Sequence, residues 1–326
     1  MLKESFKYNY FVFLISLLLL ASCKPATIEE QVEDLLKTND YSERVSIAND
    51  LADSLNERAV ELLLGASAQM SAQDGLKSMV ARYSFIMKEP AKADQACECL
   101  NMILTPVSKN GGFDNYQRRY LLIDELKKAD VAPSYRSCLE QITLEHGEDG
   151  MLAVIESWKN DKNSAHLLSA VQVFGQPAVE YLIDNLGQDK DYEDLLGRIG
   201  DPALPFLLEK MKDDDQQIRF SAADALVKMS GYHPSALYQL TSAIDNESTG
   251  AIARNYPFYI RLGLADTEQL LLSALDRHFT EDMCTDYANC GNATIESGAS
   301  DIAAQHGYYI FTTIGAHHGP QWGSGN

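Results

Sequence analysis

The stretch Ile199-Gly200-Asp201-Pro202-Ala203-Leu204-Pro205-Phe206-Leu207-Leu208-Glu209-Lys210-Met211, the turn Asp213-Asp214-Asp215 and the run Gln216 to Met229 decide the fold. Leu204, Leu207, Leu208 and Met211 recur at i, i+3, i+4 and i+7, which puts one apolar stripe on a helix. After the turn, Ile218, Ala222, Ala225, Leu226 and Met229 make a second stripe of the same period. Asp201 before Pro202 reads as a helix cap followed by the first helical position, where a missing N–H costs nothing. Asp215 is placed to cap the second helix, and the small Ala222 and Ala223 leave room for a neighbouring helix to approach.

The same unit recurs on either side. Phe174-Gly175-Gln176-Pro177-Ala178-Val179 echoes Ile199-Gly200-Asp201-Pro202-Ala203-Leu204. Ser230-Gly231 with Pro234 to Leu237, and Leu262-Gly263 with Asp266 to Leu270, continue the series. Gly200, Gly231 and Gly263 stand 31 and 32 residues apart, and Gly175 to Gly200 is a shorter step of 25. Two helices of 10–13 residues and their turns fill about thirty residues, with glycine expected to end the second helix. This pattern resembles HEAT repeats of the short, lyase-like subclass, most closely over residues 199–231. The resemblance implies an all-α, HEAT-like α-solenoid of antiparallel helix pairs. An acid followed four residues later by arginine recurs as Asp215/Arg219, Asp114/Arg118 and Asp40/Arg44. In HEAT families such residues often form a ladder along the stack; simple i,i+4 helix pairing is the plainer reading.

Working outward, residues 29–165 read as helical throughout, with Asn56–Met70, Gln117–Lys128 and Met151–Trp158 as segments and Pro90, Pro106 and Pro133 as punctuation. Asn110-Gly111-Gly112 marks a loop. Residues 166–280 hold the clearer repeats. Residues 281–326 read as a small irregular cap: a loop between Cys284 and Cys290, a turn at Ser297-Gly298-Ala299-Ser300, a short helix around Ile302 and a β-prone run Tyr308 to Ile314. The ending Gly319-Pro320-Gln321-Trp322-Gly323 looks like the tails of some bacterial HEAT-repeat proteins, with its last four or five residues expected to be loose. An array needs such an atypical end unit to cover its last apolar face.

The opposite end carries a different signal. Lys3 and Lys7 precede the apolar run Phe11 to Leu20, which is too short to span ~30 Å of hydrocarbon. Leu20-Ala21-Ser22-Cys23 follows. It resembles the lipobox of bacterial lipoproteins, which implies removal of residues 1–22, cleavage between Ser22 and Cys23, and a lipid on the Cys23 thiol. Lys24, where enteric lipoproteins destined for the inner membrane carry aspartate, points to the outer membrane. Residues 23–28 then form a lipid-anchored linker.

The chain has 27 basic and 47 acidic residues, a net charge of −20. That field repels phosphate backbones and anionic headgroups, so nucleic acid is excluded as an expected partner. Solubility and an acidic binding face explain the acidity equally well. Export permits disulfides. Cys284 and Cys290 flank the expected loop and are candidates for a staple across it. Cys97 and Cys99, two apart on a helix, face different ways, each set either to fill the core or to reach Cys138.

Chemistry is thinly represented. The seven histidines include no pair at helical spacing and no HExxH, and no His-Glu step of the kind HEAT-like hydroxylases repeat is present. No metal site and no cofactor is therefore expected. There is no G-x-S-x-G elbow and no phosphate-cradling glycine loop. Sixteen tyrosines suit either inter-helix packing, the expectation here, or an exposed protein-binding groove. The sequence thus points to a non-enzymatic, membrane-anchored scaffold or adaptor in the bacterial cell envelope that binds a protein partner. An envelope hydrolase with a dispersed site is the alternative.

Overall fold

The computed structural model describes residues 26–66, 71–106, 115–233, 248–264, 267–310 and 319–324. The lipobox residues Ser22 and Cys23, Asp114, the loop at Asn110 and most of the β-prone run lie outside them. Every regular element among the described residues is helical. The chain divides into two compact units between Val154 and Ile155, earlier than the expected boundary at 165/166.

The first unit comprises α1 (Ile28–Lys37), α2 (Tyr41–Asp53), α3 (Glu57–Ala66), α4 (Ser71–Ile86), α5 (Ala93–Leu104), α6 (Asn115–Leu126), α7 (Pro133–Glu145) and the start of α8 (Gly147–Asn160). α1 begins in a capping box in which Thr27 and Glu30 bond each other's backbone N–H, satisfying two orphan donors. Helices α1, α3, α5 and α7 pack successively in one layer, with α2 against α4 beside them. Leu35, Leu51, Leu63, Met79, Leu100 and Leu139 are fully buried between these layers. Alternate packing of this kind lets each helix pair bury its stripe on the next, so the core grows along the stack rather than around a centre.

The second unit continues with α9 (Ala165–Gln172), α10 (Gln176–Asp184), α11 (Lys190–Ile199), α12 (Leu204–Lys210), α13 (Gln216–Tyr232), α14 (Thr249–Arg254), α15 (Tyr256–Leu262), α16 (Glu268–Arg277), α17 (Glu281–Ala288) and α18 (Ala293–Gln305). Helices α9, α11, α13 and α15 follow one another in a layer, with α14, α16 and α18 stacked in turn. Gly197 lets α11 and α13 approach closely. A Cβ there would meet the Ala225 carbonyl and the Met229 amide at 3.2 Å, so α11 lies directly against the alanine-rich face of α13.

Several local expectations change. Asp201 does not cap a helix: residues 201–203 form a turn, and α12 starts at Leu204 with Pro205 in its first turn. Asp215 does cap α13, accepting from the Gln217 amide at 2.7 Å. Gly200 and Gly263 end α11 and α15, whereas Gly231 lies inside α13, which runs on to Tyr232. The end unit is more regular than expected, because α17 and α18 occupy it. Ser297 to Ser300 lie within α18 rather than in a turn. Of the closing segment, residues 319–324 are described and are docked rather than loose: the Trp322 amide donates to the Cys290 carbonyl at 2.7 Å and the Gly323 amide to that of Ile260 at 3.0 Å.

Candidate functional site

The residues singled out in the sequence divide sharply. Asp40 caps α2, accepting from the amides of Ser42 and Glu43. Asp215 does the same for α13. Among the described residues neither Asp40 with Arg44 nor Asp215 with Arg219 forms an ion pair, and the third pair of the expected ladder, Asp114 with Arg118, includes a residue outside them. Arg219 instead donates to the carbonyls of Asp213 and Asp214 at 2.8 and 2.9 Å, closing the turn before its own helix. Arg118 is 1% exposed and donates from one guanidinium nitrogen to the carbonyls of Met102, Ile103 and Thr105. Both arginines thus serve backbone carbonyls that lack partners within their own helices.

The cysteine pairing is corrected as well. Cys284 sits inside α17 and Cys290 two residues past its end; both are buried and free. The expected loop is a helix, and its rigidity leaves each thiol in separate packing, with Cys284 turned toward the Ala299 carbonyl. The disulfide forms between Cys97 and Cys138, joining α5 to α7. Cys99 remains free and buried, and burial pushes its thiol up.

The surface that gathers recognition chemistry lies on the second unit, along α11, α13, α15 and α17. A cleft of about 640 Å³ is lined by Phe220, Asp224, Tyr256, Phe258, Arg261 and Asp286 among others, with Gly319 and Pro320 of the docked tail at its edge. A second cleft of about 540 Å³ adjoins it, sharing Phe220 and Asp224 and adding Lys190, Glu193, Asp215 and Ser221. On α13, Phe220 and Asp224 are one turn apart, off the stripe that packs into the core. Phe220 is 41% exposed between the two clefts.

Ion pairs and hydrogen bonds hold the walls. Arg261 of α15 pairs with Asp224 of α13. Its guanidinium is held below its ordinary value by burial, a shift that Glu193 opposes. Tyr256 donates to Asp286 on α17 at 2.6 Å and stacks edge-on with Tyr287. Burial first, and then that carboxylate, push the Tyr256 phenol up, so it stays a donor. Glu193 is 4% exposed yet lines the second cleft. Among the described residues its side chain makes no hydrogen bond or ion pair, and Arg261 acts on it only through space.

Of these residues only Asp215, as a helix cap, and Gly319 and Pro320, in the closing segment, were singled out in the sequence. One signal was legible. Asp189 caps α11 as Asp215 caps α13, but four residues later the chain carries Glu193 where the next repeat carries Arg219. The tyrosines divide between the two readings: Tyr83, Tyr135 and Tyr287 fill the core, whereas Tyr41, Tyr116, Tyr120, Tyr232 and Tyr309 are exposed. Among the described residues no three His, Cys, Asp or Glu side chains are grouped to hold a metal ion.

The family model of the HEAT repeat matches residues 203–233, which are α12, the turn and α13. No curated protein matches the chain.

Proposed function

We propose that this chain is a non-enzymatic scaffold of the bacterial cell envelope, tethered through lipid on Cys23, that binds another protein on the cleft-bearing layer of its second unit. The carrying observation is the arrangement of that layer. Helices α11, α13, α15 and α17 present a half-exposed phenylalanine flanked by carboxylates. Helical repeats commonly mediate protein–protein contact, and the HEAT match falls on the helix that carries Phe220.

The anchor rests on the sequence Leu20-Ala21-Ser22-Cys23. The disulfide between Cys97 and Cys138 supports export, because such bonds persist in oxidising compartments and are rare in the cytosol. No described helix is long and apolar enough to cross a membrane. About five residues separate Cys23 from Ile28, a reach of at most ~18 Å. The body therefore works close to the bilayer, which suits an adaptor on other envelope proteins.

The test is crosslinking in intact bacterial cells expressing the full chain, with Cys23→Ala as control. One dominant, stoichiometric envelope protein that disappears in the control is the expected result. No protein above background overturns the scaffold reading, and failure of labelled palmitate to incorporate at Cys23 overturns the anchor.

A further inference from the structure

We infer that the cleft around Glu193 and Phe220 takes a basic segment of a partner polypeptide, a lysine or arginine entering beside Glu193 while an adjoining apolar side chain lies on Phe220. The inference deepens the proposed scaffold function and rests on it for the class of partner.

Three observations converge. The first is an acid without a hydrogen bond, reached by Arg261 only through space. An acid this deeply set in a wall is normally hydrogen-bonded by its neighbours, because burial takes away much of its hydration. Glu193 is nine-tenths buried and lines the cleft, and among the described residues nothing hydrogen-bonds to it. The second is charge. The Arg261 guanidinium is already committed to Asp224, so the group Glu193, Asp224 and Arg261 retains one negative charge in excess at the junction of the clefts. Asp215 and, farther along, Asp282 and Asp286 extend the same sign, against Lys190 as the one further cation among the described lining residues. The third is the apolar step. Phe220 stands half-exposed next to these acids, and an aromatic ring beside a carboxylate is suited to a long cationic side chain, whose methylenes cover the ring while its head reaches the acid.

These features also select against other ligands. Phosphate groups and acidic peptides meet repulsion from Glu193, Asp215 and Asp224. A purely apolar helix would bury Glu193 without neutralising it. A basic, partly apolar segment satisfies both halves of the surface, and the two adjoining clefts have room for several residues.

The probe is a fluorescein-labelled dodecapeptide of alternating lysine and leucine, titrated against the full chain at 0.15 M salt and followed by fluorescence anisotropy. The alternating glutamate–leucine peptide serves as the counter-probe. Two variants remove the site, Glu193→Gln and Phe220→Ala, and Glu33→Gln removes one exposed carboxylate of α1 as a charge-matched control. The expected result is saturable binding of the lysine peptide alone, weakened at least five-fold by E193Q and by F220A and unchanged by E33Q. An equal loss in E193Q and E33Q, or no loss in either, would mean general attraction to an acidic surface and overturn the assignment. Displacement of the peptide by millimolar spermidine with no effect of F220A would overturn it too, by making the occupant a small cation. Circular dichroism of each variant confirms folding; should E193Q not fold, F220A alone decides. A partner captured through Cys23 in cells whose crosslinking is unaffected by E193Q and F220A would leave the scaffold function standing and remove this site from it.

Discussion

Arg118 of α6 and His146, just past α7, meet on the same helix end. Arg118 donates to the carbonyls of Met102, Ile103 and Thr105, and the His146 ring bonds the Leu104 carbonyl at 2.6 Å. Four consecutive carbonyls at the C-terminus of α5 have no partner within their helix. Two side chains from later in the sequence supply nearly all of what is missing, and the cationic guanidinium also suits the negative end of the helix dipole.

Replacing Arg118 with methionine keeps the buried volume and strips those carbonyls of their donor. The expected cost is about 2–3 kcal/mol, the penalty of leaving buried acceptors unmade. It is read as a fall in the urea midpoint at unchanged slope. A change below about 0.5 kcal/mol would show that water replaces the guanidinium there.

His146 makes the same contact sensitive to pH. Its pKa is lowered, chiefly by burial and further by Arg119 and Arg118, against the opposing pull of the Leu104 carbonyl and Asp149. The folded state thus holds the neutral ring. Stability is fully present above the unfolded value of about 6.5 and declines as pH falls below it, because the unfolded chain takes up a proton that the folded chain refuses. The slope gained relative to His146→Gln approaches about 1.4 kcal/mol per pH unit. Matched urea titrations between pH 5 and 7.5 measure it, and parallel curves for the two proteins would refute it.

The Cys97–Cys138 bond closes a sequence separation of 41 residues. A loop of that length gives about 4 kcal/mol by the chain-entropy relation. The double variant Cys97→Ala, Cys138→Ala should lose most of this, with the loss confined to the first unit by amide exchange. Alkylation of the denatured, unreduced protein should label Cys99, Cys284 and Cys290 and spare Cys97 and Cys138. Sparing of Cys284 and Cys290 instead would restore the pairing across α17.

Gly263 is left-handed at φ +66°, and a Cβ there would lie 2.5 Å from the Gly323 backbone. Gly263→Ala should therefore cost at least about 1–2 kcal/mol for the conformation, and release the tail that edges the larger cleft. Faster amide exchange at Gly323, whose N–H bonds the Ile260 carbonyl, is the expected mark. Unchanged protection there would mean that the tail is held by Trp322 and Gln321 alone.

The sequence by itself determined the helical repeat. The stripes Leu204–Met211 and Ile218–Met229 recur every three or four residues, so periodicity reports them directly, and the cap at Asp215 followed from local hydrogen-bond geometry. The same locality misled at Asp201, where a turn intervenes before α12, and at Ser297–Ser300, where the packing of α18 overrides residues that favour turns on their own. Only the tertiary structure decided which side chains from distant repeats meet. Cys97 finds Cys138, Arg261 finds Asp224, and Arg118 finds the end of α5 because stacking brings residues 13 to 41 positions apart into one layer. Glu193 is the sharpest case. Its departure from the arginine of the next repeat is written in the chain, but its burial without a hydrogen bond depends on where α13 and α15 place Asp224 and Arg261, and no local pattern encodes that placement.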